Sequence, residues 1–419
     1  MKFDTIIIGG GLAGLICGIR LAENNQRCAL ITSGKSALYF SSGSFDMLGY
    51  LSNYDTVISP LDAITELMIQ KPNHPYSKLG IKKIESFAME ATILLQNAGI
   101  SMDGDIKNNH FRLTPMGIWK PTWLTLNGMA ISREDKQSSW KKVVICNLNG
   151  FLDFPHQMIA EELRNTGIET DIQILNVTFL DNIKQTSTEI RSTSITKLLV
   201  EDKNLKELAN AINRMGNDYD AILLPNVFYT LSDNTFVRLK EMVLDKHLLL
   251  TPTMPPSVPG IEIENMLTDH FKKLGGKVFL GDSVLKGEIK DDIVTKIYTS
   301  NHEDIPFVGN NYVLATGCFF SKGLVSRNTS VYEPIFDCEV DFIKKREEWY
   351  SKNLFDKQAY LAFGVKTTSD FNAMAKGKVI NNLYAIGSIL SGFDPIEESS
   401  GAGVAMFTGL EAANQILNK

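Results

Sequence analysis

The amino-acid sequence predicts an α/β protein built on a doubly wound, mostly parallel sheet, and three observations carry that expectation. Residues 3–8, "FDTIII", form a short apolar run fit for a buried parallel strand. "GGGLAG" (9–14) follows at once, and Leu15, Ile16, Ile19, Leu21 and Ala22 then recur at helical spacing until "ENNQ" (23–26) breaks the pattern. "CALIT" (28–32) closes a strand–helix–strand unit within about 30 residues, as a Rossmann-like β-α-β unit requires.

The glycines sit where such a unit handles phosphate. Gly9 permits a tight turn, Gly11 lets a phosphate approach the backbone, and Gly14 lets the helix pack on the strand. Free N–H groups at the helix start then face the anion, aided by the helix dipole. The same run also reads as a glycine-rich turn with no ligand. The tip of the second strand normally carries an Asp or Glu for an adenosine ribose, and here it is Thr32. FMN has no adenosine half, so a site for FMN can dispense with that acid. This points to FMN, with FAD as the alternative.

Further along, "LDAITELMI" (61–69) and "ESFAMEATILLQNAG" (85–99) read as helices. "KVVICNL" (142–148) with "HQMIAEELRNTG" (156–167) reads as a strand and helix, and "YDAILLP" (219–225) and "HLLLTP" (247–252) as buried strands. No second G-x-G-x-x-G follows any of them. "TPTMPPSVPG" (251–260) marks a turn, the helix "IEIENMLTDHFKKLGG" follows, and "KVFLGDSV", "VTKIYTS" and "YVLATG" make a strand–meander–strand pattern. The tail is a strand, a glycine-broken loop and a helix. The expected division is a first domain of 1–50, 253–330 and 376–419, with 51–252 and 331–375 forming an inserted α/β domain.

Composition removes several function classes. At 419 residues the chain has room for two domains, and a net charge of −6 offers no basic face for nucleic acid. The longest apolar run, 5–19, is too short to span a bilayer, and its flank of Lys2 and Asp4 is unlike a secretory leader. Five cysteines without a C-x-x-C pair argue for reduced thiols and against an iron–sulfur cluster. Six scattered histidines suggest no metal site. The loop after the second strand offers no His and the tail no Cys, so covalent flavin attachment is not expected.

Two distant segments sharpen the reading. "YVLATG" (312–317) resembles the Ala-Thr-Gly strand end of two-dinucleotide-binding-domain flavoproteins, in which Thr316 and Gly317 lie near the nucleotide. "NLYAIGS" (382–388) resembles the last strand of that fold, which usually ends Gly-Asp; here Gly387 is followed by Ser388. "SSGAGVAMFTG" (399–409) resembles the closing loop and helix, whose N-terminus, with Gly401 and Gly403, points at the flavin pyrimidine edge. The polar loop "SSGS" (41–44) adds Ser42, Gly43 and Ser44 to the expected cofactor-binding residues. Ser388 and Asp394 either contact the flavin or cap the final helix or a turn. Arg112, Arg191, Arg327 and Arg346 could receive a phosphate, but none is singled out, and the catalytic residues stay unassigned.

"FDTIIIGGGLAGLICGIRL", "SALYFSSGSFDML", "TPTMPPSVPGI", "FFSKGLV" and "NLYAIGSILSGFDP" together resemble the B-subunit family of bacterial anaerobic glycerol-3-phosphate dehydrogenases, from Met1 to the C-terminus. The resemblance implies a Rossmann-like two-dinucleotide-binding-domain flavoprotein with FMN assigned to this chain. It implies glycerol 3-phosphate oxidation to dihydroxyacetone phosphate, with electrons passing to quinone. It implies two partners, the flavin-bearing A and iron–sulfur C subunits, the latter anchoring the pair at the cytoplasmic face of the inner membrane. The competing expectations are a free-standing soluble flavoenzyme and a redox-inactive scaffold for the A subunit.

Overall fold

The computed structural model of the chain describes residues 1–51, 54–133, 139–181 and 189–419. It divides into two compact units, Met1–Ala37 with Asp46–Ala98 and Leu267–Lys419, and Leu38–Phe45 with Gly99–Met266.

The first unit is organised on a six-stranded sheet. Its order is Lys277–Leu280, Cys28–Thr32, Lys2–Ile8, Val308–Leu314, Lys378–Ala385 and Asn372–Ala375. All neighbours pair in parallel except the last two, which are antiparallel. Counted along the chain, the parallel strands run 3-2-1-4-5, so the order reverses between Lys2–Ile8 and Val308–Leu314. In open α/β sheets ligands bind beyond the carboxyl ends of the strands at that reversal. The registers Ile8↔Leu314, Ile8↔Ile31 and Leu314↔Ala385 bring those ends to one edge. Near those ends both faces of the central strands are covered, and Ile6, Ile7, Val313 and Leu314 have no exposure. Burying each such side chain contributes about 1.5–3 kcal/mol.

Helices Leu12–Glu23 and Gly401–Leu417 pack closely because their contact residues are small. A Cβ on Gly409 would lie 2.8 Å from the Ala13 carbonyl oxygen. Helix Ile81–Asn97 turns Ile84, Phe87, Ala91, Leu94 and Leu95 inward, and Lys83 on it pairs at 2.8 Å with the buried Glu411 of the closing helix. Strands Val284–Lys290 and Ile293–Thr299 form the meander's antiparallel hairpin.

The second unit holds a four-stranded, wholly parallel sheet in the order Glu169–Leu175, Lys142–Leu148, Ala221–Pro225, Leu248–Thr251. The helix expected over 156–167 runs His156–Asn165. Two small antiparallel sheets, one containing Ser44–Phe45 and the other His110–Leu113, complete it. The Glu262 carboxylate ties a loop to its helix by accepting the amides of Thr230, Leu231 and Ser232 and the hydroxyls of Thr230 and Ser232.

These units cut the chain elsewhere than the sequence suggests. Residues 51–98 and 331–375, expected in the inserted domain, cluster with the first unit, and 38–45 and 253–266, expected in the first domain, cluster with the second. The physical reason is pairing between distant segments. Strand Asn372–Ala375 extends the large sheet, while Ser44–Phe45 pairs with Leu124–Leu126. No helix among the described residues is long and apolar enough to cross a membrane.

Candidate functional site

The carboxyl edge of the first unit's sheet gathers the glycine motifs. Gly9 has φ +114°, and a Cβ there would lie 2.6 Å from the Ala315 carbonyl carbon, so only glycine fits. Its amide donates to the Ile31 carbonyl at 2.9 Å, locking the turn onto the second strand. A Cβ on Gly14 would run into the Gly9 carbonyl, which is the helix-on-loop packing expected of that glycine.

Gly11 differs from both. It precedes helix Leu12–Glu23 with an ordinary φ of −78°, and a Cβ there would meet nothing within 4 Å. The first hydrogen bond of the helix runs from the Leu15 amide to the Gly11 carbonyl. The amides of Leu12 and Ala13 have no acceptor among the described residues, and no acidic side chain stands in the first turn. An open cradle lined by free amides at a helix N-terminus suits a phosphate.

The two distant strand ends join this cradle. Gly317 has φ +78°, and a Cβ there would lie 3.4 Å from Ser388 Oγ, so "ATG" and "IGS" meet. The Thr316 hydroxyl is buried with no hydrogen-bond partner among the described residues. Such a group costs about 1–3 kcal/mol unless a ligand or water satisfies it. Gly387, at φ +70°, lies between the two helices: a Cβ there would be 2.8 Å from the Ala13 Cβ and 3.9 Å from the Ala405 Cα. Its amide donates to the Thr408 hydroxyl at 3.0 Å.

The residues left open between capping and binding now part. Asp394 accepts the amides of Ile396 and Glu397 at 2.9 and 3.0 Å, so its carboxylate caps a turn, and burial pushes its pKa up. Ser388 is exposed between buried neighbours and makes no hydrogen bond among the described residues. Thr32 donates its hydroxyl to the Gly34 carbonyl at 2.9 Å, and a Cβ on Gly10 would touch its side chain at 3.1 Å. Ser42, Gly43 and Ser44 belong to the second unit. There the two serine hydroxyls share a 2.9 Å hydrogen bond and the Gly43 carbonyl accepts the Leu126 amide. Gly401 and Gly403 lie in the first turn of the closing helix. Of the arginines, Arg191 pairs with Asp153 and Glu189, Arg327 lies over Tyr332 and Arg346 over Trp349, while Arg112 is buried in the second unit.

One cluster escaped sequence reasoning. Glu398, 1% exposed, accepts Lys71 Nζ at 2.6 Å, His74 Nε2 at 3.0 Å and the Ser400 hydroxyl at 3.0 Å. Burial pushes its carboxyl up, but the His74 hydrogen bond and the Lys71 ammonium outweigh that and hold it at about 2. Tyr76, whose OH donates to the Met47 carbonyl at 2.6 Å, faces Gly403 so closely that no Cβ would fit there. Partners more than 300 residues apart leave no local signal.

These features fit a flavin: a phosphate cradle at Gly11, an orphaned hydroxyl at Thr316, and an exposed Ser388 beside them. A protein family described as FAD binding domain matches residues 4–404. A Yersinia pestis biovar Antiqua protein, named as the B subunit of anaerobic glycerol-3-phosphate dehydrogenase, is 40% identical over 100% of this chain and 99% of its own. A Pectobacterium atrosepticum protein of the same name is 38% identical over the same shares. Among solved structures, 3-ketosteroid Δ1-dehydrogenase from Sterolibacterium denitrificans covers 100% of both chains at 10% identity and a TM-score of 0.45. The chain is an FAD-binding-domain flavoprotein that belongs to the B-subunit family of anaerobic glycerol-3-phosphate dehydrogenases.

Proposed function

We propose that this chain is the flavin-bearing B subunit of a quinone-linked complex that oxidises glycerol 3-phosphate to dihydroxyacetone phosphate. Its partners would be the flavin-bearing A and iron–sulfur C subunits, which would hold it at the cytoplasmic face of the inner membrane. The names of the full-length relatives support the substrate and the multi-subunit assembly. The observation that carries the flavin role is the reversal of strand order between Lys2–Ile8 and Val308–Leu314: beyond one strand lies the open cradle at Gly11 and beyond the other the orphaned Thr316 hydroxyl.

We assign the flavin as FAD, held non-covalently. The description of the matching family supports this and outweighs the neutral Thr32, which by itself favours FMN. Gly11 would receive the phosphates with the amides of Leu12 and Ala13, on the turn that Gly9 and Gly14 shape. Thr32 would meet a ribose, Thr316 and Gly317 would line the nucleotide, and Gly387 and Ser388 the ribityl chain. Gly401 and Gly403 would present the closing helix to the ring. When bound, the flavin supplies a two-electron acceptor; the protein's part is to bind, orient and electrostatically stabilise it. The first unit is accordingly the flavin domain, and the second unit the substrate or partner domain.

The test is to purify the chain, denature it, and identify the released flavin by chromatography and mass, then assay quinone reduction by glycerol 3-phosphate with and without the partner subunits. FAD released stoichiometrically, with activity only in the assembled complex, is the expected outcome. A colourless chain that takes up neither FAD nor FMN refutes the proposal.

A further inference from the structure

Ser400 stands at the N-cap of the closing helix Gly401–Leu417. A serine in that position ordinarily turns its hydroxyl back onto the amide of the second or third helical residue. Here no side-chain cap bond forms, and the hydroxyl donates to Glu398 Oε2 instead. Glu398 is itself fixed from several sides. Lys71 Nζ holds one carboxylate oxygen and His74 Nε2 the other, while the amides of Gly49 and Tyr50 donate to its backbone carbonyl at 2.9 and 3.1 Å. His74 is oriented in turn, because its Nδ1 accepts the Tyr76 amide at 3.0 Å, which leaves Nε2 as the donor to Glu398.

The consequence falls on the end of the helix. The Gly403 amide is taken by the Asp46 carbonyl at 3.0 Å, and the first helical bond runs from the Val404 amide to the Ser400 carbonyl. The amides of Gly401 and Ala402 are left without an acceptor among the described residues. Ser399, held at φ +48°, gives the chain the turn that points Ser400 towards Glu398.

We infer that Glu398 is a positioning residue for the flavin: by drawing the Ser400 hydroxyl away from the helix end, it keeps the Ala402 amide open, beside the free amide of Gly401, for the bound isoalloxazine. The inference rests on the flavin role proposed above. It accounts for a strong capping residue that does not cap, and for a buried carboxylate that gathers three donors. A purely structural clamp would give the helix end its stability and nothing more.

The two roles separate in a double mutant. Glu398→Met keeps the side-chain length but removes every acceptor, which frees the Ser400 hydroxyl to cap the helix. The dissociation constant for FAD, read by quenching of flavin fluorescence, should then rise about fivefold to tenfold, the scale of one N-cap hydrogen bond. Ser400→Ala alone should leave it within about twofold, since no hydroxyl remains to compete. The double variant Glu398→Met/Ser400→Ala should recover to within about threefold of the wild type, although it lacks more hydrogen bonds than either parent. An unchanged constant in Glu398→Met, or a double variant as weak as Glu398→Met, overturns the positioning role. Should Glu398→Met fail to fold, hydrogen exchange on the wild type decides. The Gly401 and Ala402 amides should exchange fast without FAD and slow on its addition, and unchanged exchange overturns the inference. A wild type that binds no flavin at all refutes the functional proposal itself, a result distinct from either of these.

Discussion

Gly9 and Gly11 lie two residues apart, yet substituting alanine at each should have opposite consequences. At Gly11 the backbone has φ −78° and ψ −179°, which any residue adopts, and the new Cβ would meet nothing within 4 Å. Folding should therefore cost nothing, and the lower entropy of the unfolded chain should stabilise the protein by about 0.4–1 kcal/mol. The methyl group would, however, occupy the space a phosphate needs. Losing two charge-assisted hydrogen bonds of about 1.5–3 kcal/mol each weakens FAD binding by at least a hundredfold. At Gly9 the backbone sits at φ +114°, and the Cβ would press on the Ala315 carbonyl, a rigid strand end. The conformational strain alone costs about 1–3 kcal/mol, and the clash adds to it. Flavin absorbance per chain, FAD titration and urea unfolding measure all of this on two proteins. A Gly11→Ala chain with wild-type affinity for FAD, or one that unfolds like Gly9→Ala, would refute the cradle.

Three other changes probe the same region. Thr316→Val removes the orphaned hydroxyl at nearly constant shape. It should leave unfolding of the flavin-free chain unchanged or slightly harder while weakening FAD binding about tenfold, read by titration. Gly387→Ala forces a side chain into φ +70° and to 2.8 Å from the Ala13 Cβ, so the urea midpoint should fall by the equivalent of about 1–3 kcal/mol. Glu398 has its carboxyl held at about 2, below the ordinary carboxylate value of 4.5. Its contribution is therefore fully present above pH 4.5 and lost as the pH falls through the folded value near 2. The stability advantage of the wild type over Glu398→Gln should shrink by about 2 kcal/mol between roughly pH 6 and pH 3, and a constant difference in urea unfolding would contradict the ion pair.

Much of the first unit was legible because its signals are local. The run "FDTIII", the three spaced glycines and "CALIT" each need only a few neighbours to declare a strand, a turn and a strand, and Lys2–Ile8, Leu12–Glu23 and Cys28–Thr32 form as their periodicity requires. "KVVICNL" and "AILLP" declare themselves as buried strands for the same reason. The unit boundaries were not legible. Ser44–Phe45 is too short to show a pattern, and its place depends on pairing with Leu124–Leu126, some 80 residues on. Helix Ile81–Asn97 was visible as a helix, but which surface its apolar face would cover was not.

By itself the sequence determined that a glycine turn would lead into a helix, that two more strands would end in "ATG" and "IGS", and that a glycine-rich segment would open the last helix. Only the tertiary structure decided that Gly9 would rest against Ala315 and Gly317 beside Ser388, and that the Thr316 hydroxyl would be buried without a partner among the described residues. It also decided that Asp394 would cap a turn and that Glu398 would close with Lys71 and His74 around Ser400. The division has a physical basis. Periodicity and turn chemistry are set by dihedral preferences over a few residues, whereas a contact between residues 74 and 398 exists only once the sheet has formed and its helices have packed.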